Sequence, residues 1–195
     1  LEARHEALRT RFVEVNGEAR QRILPAQGQR IDWVDLRELA ASEREAEARD
    51  YAQKLLTRPF NLASEPLLRV SVLRLADQEY RLLLVQHHIV SDGWSMQVMV
   101  EELVQLYAAH SQGHDLQLPE LPIQYADYAL WQRGWMEAGE QARQLAYWQA
   151  LLGGEQPVLE LPLDRPRPAQ QSHRGASLQV HLQPTLVAGL KRLAQ

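Results

Sequence analysis

The chain has 195 residues, 45% of them hydrophobic and 24% charged, with a formal net charge of −4. This is ordinary globular composition, enough for one good core or a domain and a half. The mild negative charge leaves no electrostatic footprint for nucleic acid. No apolar run approaches the ~20 residues of a membrane span. Cysteine is absent, so there is neither a disulfide frame nor thiolate chemistry, which fits a reducing compartment.

Along the chain, "LEARHEALR" reads as the tail of a helix, because Leu1, Arg4, His5 and Leu8 lie at helical spacing. "TRFVEVNGEARQRIL" reads as a hairpin turning on Asn16-Gly17. "IDWVDL" is a short strand. Ser42 and Glu45 form a capping box, and Ala48, Tyr51, Ala52 and Leu55 make one apolar helix face that should end near Arg58-Pro59. The alternating, branched stretch Leu67 to Leu75 is a strand. "ADQE" turns, and "YRLLLVQHHIV" is a second strand paired to the first. Its near-continuous apolar run predicts a central strand covered on both faces.

Met96, Met99, Val100, Leu103, Val104 and Tyr107 give an amphipathic helix from Ser95 to His110. A loop follows from Ser111 to Pro122. "YADYALWQRGWMEAGEQARQLAYWQALL" is mainly helical, with Gly134 and Gly139 as weak points. "PVLELPLDRPRPAQQSHRG" is too rich in proline for a regular interior and reads as an extended connector. "ASLQVHL" alternates like a strand, and "TLVAGLKRLAQ" opens another helical pattern. Both ends fall within helical patterns, so the chain is expected to be a piece of a larger protein. There is no internal repeat or low-complexity tract.

The chemistry concentrates at "VQHHIVSDGWS", Val85 to Ser95. Neighbouring side chains on a strand point to opposite faces, so His87 and His88 cannot both face one site while the strand lasts. That weakens a metal site gripping both rings. One histidine should face the site, with the other buried as a structural hydrogen bonder. Asp92-Gly93 turns the chain into the following helix. Asp92, with Ser91 beside it, is placed to cap that helix or hold a partner. Gly93 permits close backbone approach and can leave an N–H free for substrate. Taken singly, a strand-end histidine is most simply a satisfied core residue and an Asp-Gly only a turn. The combination, after a covered strand and before an amphipathic helix, points to a histidine-based active site.

These residues resemble a known family. "HHIVSDGWS" resembles the HHxxxDG signature of the condensation domains of non-ribosomal peptide synthetases. Four further stretches match in order: "RHEALRTRF" the upstream arginine motif, "RPFNLASEPLLRV" the segment before the central hairpin, "YADYALWQ" the Tyr-rich helix motif, and "LDRPRPAQQSHRGA" the Asp-Arg-Pro-Arg-Pro connector. The resemblance covers essentially the whole chain. It implies an α/β fold, a mixed sheet with packed helices, in the form of a chloramphenicol acetyltransferase-like half-domain of a two-lobed enzyme. On this basis residues 1–124 are the N-terminal lobe without its start. Residues 125–175 are the connecting helix and Pro-rich crossover, and 176–195 the truncated beginning of the C-terminal lobe.

The function implied is peptide-bond formation between two carrier-tethered thioesters. Upstream and downstream peptidyl carrier domains bring the substrates on phosphopantetheine arms, and an adenylation domain is a neighbour. No cofactor or metal is expected to be bound by the domain itself, and a cytoplasmic location is expected. His88 matches the catalytic position and His87 a supporting one. Asp92 matches a structural aspartate held by an ion pair to Arg4 or Arg9. Gly93 matches the glycine beside the reacting centre, while Trp94 and Ser91 are candidate tunnel-lining residues. A free α-amino group has a pKa of about 7.7–8.0, so a neutral imidazole can accept or position its proton.

Tyr125, Tyr128 and Trp131 are expected to line a helix–helix contact. His173 and His181 read as solvent-side or satisfied, and the charged run Glu43 to Arg49 as a solvated helix face. The alternatives are an epimerisation domain or acyltransferase of the same superfamily, and a non-catalytic recruiting module of the same fold. "DGWS" favours condensation over epimerisation, and His88 argues against the recruiter.

Overall fold

The computed structural model describes residues 1–157, 159–172 and 175–194. Two compact units result, Leu1–Tyr147 and Trp148–Gln195. His173 lies outside the described residues, and His181 is exposed.

In the first unit, β1 (Thr10–Val15) and β2 (Glu18–Ile23) form an antiparallel hairpin. Asn16 and Gly17 both adopt positive φ, 55° and 79°, the twist that a two-residue turn between right-twisted strands requires. The residues before it are not the end of a helix. They make turns and a short 3₁₀ segment, Glu6–Arg9. His5 is extended, and the Arg4 carbonyl accepts from the Gln124 side chain (3.0 Å) instead of continuing a helical ladder.

β3 (Ile31–Asp35), β4 (Leu68–Ala76) and β5 (Glu79–Gln86) form the main sheet, in the order β3-β4-β5. β3 runs parallel to β4, and β5 antiparallel. A parallel pair needs a crossover, which is supplied by helix α1 (Ala41–Thr57). Leu73 and Leu75 of β4 pack with Leu36 and with Ala48 of α1, and Val34, Tyr51 and Leu83 close around them. Tyr51 also shares a hydrogen bond with the buried Ser71 (3.1 Å). The charged run on the outer side of α1 is largely solvated, although Glu45 reaches Arg81 of β5 (2.9 Å).

Three local expectations are corrected. The covered central strand is β4, whereas β5 lies at the sheet edge with Leu82 47% exposed. A greasy run reports burial in general, and pairing order decides which strand receives it. Helix α1 starts two residues early, with Ala40 at its N-cap and no side-chain cap, so Ser42 and Glu45 form no capping box. Finally, residues 176–182 form no strand among the described residues, and Leu178 and Val180 are 88% and 69% exposed. Alternation sets only which way side chains point. A strand also needs a neighbour to take its N–H and C=O groups.

Helix α2 (Gly93–Ser111) follows β5, and α3 (Tyr125–Trp135) follows a loop. Five residues of wider, π-type winding, Met136–Glu140, lead into α4 (Gln141–Leu152). The break falls at Gly139, whose φ of 114° suits a residue without a Cβ. The Pro-rich stretch after α4 is irregular, and α5 (Pro184–Leu193) begins with its proline in the first turn. No described helix is long and apolar enough to cross a membrane.

Candidate functional site

β4 and β5 are in a register that pairs Arg69 with Val85 and Ser71 with Leu83. These residues share the face covered by α1. Gln86 has the opposite parity and reaches the Met99 sulfur of α2 (3.1 Å). β5 ends at Gln86, so both histidines lie just beyond it, in the turn toward α2.

The parity of the strand carries over that end. The His87 amide makes a last rung to the Leu67 carbonyl (3.0 Å). Its ring meets Phe60 edge-on at 5.8 Å, and its Nδ1 accepts the Ile89 amide (3.0 Å). His88 follows Gln86 to the other side. It lines a cavity of about 360 Å³, within the usual range for small-molecule sites. Leu8 and Phe12 wall this cavity from the N-terminal side, Gln86 and His88 from the end of β5, and Met99 and Tyr125 from the helices. Ser91, Asp92 and Trp94 also line it, and Trp94 is 81% exposed. His87 is not among the lining residues.

Asp92 is the N-cap of α2. Its Oδ1 accepts from the Ser95 amide (2.7 Å) and from the Ser95 hydroxyl (2.6 Å). The hydroxyl first, and then the amide, hold its carboxyl below the ordinary aspartate value, with a lesser attraction from His88. The expected arginine ion pair is corrected: among the described residues no arginine pairs with Asp92. Arg9 donates to the Leu24 carbonyl (2.6 Å) and to Glu6 (3.2 Å). Arg4 donates to Glu102 (3.0 Å) and to the Pro119 carbonyl. Glu102 lies ten residues beyond Asp92 on α2, about 15 Å along the helix, so Arg4 cannot serve both. Gly93 opens α2, and a Cβ built there would meet nothing within 4 Å.

A second group stands at the same cavity. Glu102 accepts from Arg4 and lies 2.7 Å from Nε2 of His5, which lines the cavity wall. Burial would raise the Glu102 carboxyl, but the hydrogen bonds from His5 and Arg4 outweigh it and leave it lowered. Gln124, ahead of α3, accepts the Glu6 amide (3.1 Å) and donates to the Arg4 carbonyl, pinning the N-terminal segment to α3. Sequence reasoning missed His5, Glu102 and Gln124. His5 stood in the quoted arginine motif, but its partner is 97 residues away. Tyr125, Tyr128 and Trp131 stand against one another along α3, with centroids 5.9 and 5.7 Å apart, and Trp131 stacks on Trp135 at 5.6 Å. Among the described residues no three His, Asp or Glu side chains gather as metal ligands would.

Comparison with known proteins places this geometry. The family described as "Condensation domain" matches residues 1–195. A subunit of the linear gramicidin synthase of Brevibacillus parabrevis is 54% identical over 98% of this chain, and the match covers 2% of that protein. Phosphinothricin tripeptide synthetase PhsC of Streptomyces viridochromogenes is 42% identical over 100% of the chain, covering 18% of its own length. The chain therefore spans less than a fifth of either relative. Among solved structures, the X-domain from teicoplanin biosynthesis superposes with a TM-score of 0.72 at 31% identity, covering 89% of this chain and 38% of that one. The epimerization domain from the third module of tyrocidine synthetase B gives a TM-score of 0.67 at 25% identity, covering 82% and 36%. This α/β chain, with its chloramphenicol acetyltransferase-like architecture and its His87–Gly93 turn beside a cavity, belongs to the condensation-domain family of non-ribosomal peptide synthetases.

Proposed function

We propose that the chain works as part of an amide-forming condensation domain, in which an acceptor amine attacks a donor thioester and the growing chain passes to the acceptor. Both substrates arrive on the phosphopantetheine arms of upstream and downstream carrier domains, beside an adenylation domain in the same cytoplasmic synthetase. In this reading residues 1–124 belong to the first lobe, 125–175 to the connector, and 176–195 to the start of the second lobe.

The observation that carries the reading is the division of labour between the paired histidines: of the two rings, His88 lines the cavity. A neutral imidazole there can accept or orient the proton of the attacking amine, help that is typically worth ~10²–10⁴ in rate. The thioester is already activated, so no covalent intermediate on the protein is needed. When the C–N bond forms, the C–S bond breaks and the thiol of the donor arm leaves with a proton. Holding amine and thioester together supplies a further large share. Ser91 and Trp94 border the same space, Gly93 stands between Asp92 and Trp94 at the start of α2, and Asp92 fixes the turn through its cap.

The test is intact-mass analysis of the acceptor carrier protein after reaction with the parent synthetase and its His88→Ala variant. A mass gain of the donor acyl group, lost in the folded variant, is expected. Undiminished product in the variant would remove His88 from the chemistry. Constant mass with inverted stereochemistry would favour epimerisation, as in the tyrocidine neighbour. Binding without chemistry would favour a recruiter, a reading prompted by the neighbour solved as a complex of the X-domain and OxyB.

A further inference from the structure

The segment "RPFNLASEPLLRV" contributes no residue to the cavity wall, yet it ends in a buried charge. Arg69 sits on β4 and is only 7% exposed. Its guanidinium spans the end of α1: Nη1 donates to the Arg58 carbonyl (2.6 Å), and Nη2 donates to the Pro59 carbonyl (2.6 Å) and to Glu65 (3.3 Å). The same group lies over the face of Phe60, 3.6 Å from the ring centroid. Phe60 in turn stands at 89° to the His87 ring. His87 holds the turn at three points: its amide to Leu67, its Nδ1 to the Ile89 amide, and its carbonyl to the Val90 amide (3.1 Å). His88, itself exposed, is spanned by the ties from His87 to Ile89 and Val90.

We propose that Arg69 and Phe60 are positioning residues for His88: the stacked guanidinium and phenyl ring fix the His87 imidazole so that its Nδ1 holds the Ile89 amide, and the turn so formed aims His88 into the cavity. The Ile89 amide is a donor, so the bond needs a lone pair on Nδ1 and places the His87 proton on Nε2. A smaller side chain at Phe60 removes the surface against which the imidazole stands and frees it to rotate. The turn then loses its middle tie. The consequence for turnover rests on the function proposed above, whereas the state of the His87 ring does not.

The experiment uses Phe60→Leu, with Phe60→Tyr as the conservative variant, and Arg69→Lys, which keeps a cation but has no planar fork to span two carbonyls. Imidazole nitrogen resonances of the labelled chain are expected to show His87 protonated at Nε2 in the wild type and in Phe60→Tyr, and exchanging between tautomers in Phe60→Leu. In the parent synthetase, kcat should fall ~10- to 100-fold in Phe60→Leu with KM little changed, recover in Phe60→Tyr, and fall less in Arg69→Lys. A folded Phe60→Leu protein with an unaltered His87 tautomer, or with unaltered kcat, overturns the proposal. If Phe60→Leu does not fold, the same two readouts on Arg69→Lys decide it. If His88→Ala leaves amide formation intact, the role proposed for His88 fails on its own, and the tautomer shift still decides whether Phe60 sets the His87 ring.

Discussion

Glu102 and His5, 97 residues apart in sequence, meet at 2.7 Å, and His5 lines the same cavity as His88. With Arg4 on its other oxygen, the carboxylate ties the N-terminal segment to α2. The Glu102 side chain is 13% exposed, so the pair is shielded from much of the screening that weakens surface ion pairs.

This relationship has a pH signature. The Glu102 carboxyl is lowered in the folded protein, so its contribution is present at neutral pH and lost as pH falls through the folded value. Glu102→Gln should therefore lower the denaturation midpoint at neutral pH, and the gap to wild type should shrink as the solution is acidified below the ordinary glutamate range. Denaturant melts at neutral and acid pH check this. A gap that stays constant would mean that the ionised form adds nothing.

Asp92 is expected to matter to the fold as a helix cap. Asp92→Ala should lower the melting temperature by a few degrees, and Asp92→Ser or Asp92→Asn should restore most of the loss, since both side chains cap well. Recovery only on restoring a negative charge would point instead to an ion pair.

Gly93 has open space where a Cβ would stand, so the protein itself does not require glycine there. Gly93→Ala should melt like the wild type while slowing amide formation in the parent synthetase. Equal slowing and destabilisation would show that the need for glycine is structural.

Leu73 tests the core. It is fully buried between Leu36, Ala48 and Leu75, so Leu73→Ala should cost ~2–5 kcal/mol of stability through lost contacts and a residual cavity. Chemical denaturation reads this directly, and a loss well under ~1 kcal/mol would mean that the core there collapses freely around the gap.

What the sequence determined by itself is what a few neighbouring residues can decide. Asn16-Gly17 permits little but a tight hairpin, because both positions must take positive φ. The branched alternation of Leu67 to Leu75 and the helical spacing from Met96 to Tyr107 give β4 and α2 within a residue or two of their observed ends. The ordered motifs around His87–Gly93 mark the family. Tertiary structure decided what depends on partners distant in sequence. It put β4 rather than β5 at the centre of the sheet, left residues 176–182 without a ladder, and gave Arg4 to Glu102, leaving Asp92 to its own helix. It also joined Arg69 and Phe60 to His87, which no local pattern announces. The physical reason is range: backbone torsions and side-chain periodicity act over one turn or one strand, whereas hydrogen-bond and ion-pair partners are assigned only when packing brings separate elements within a few ångströms.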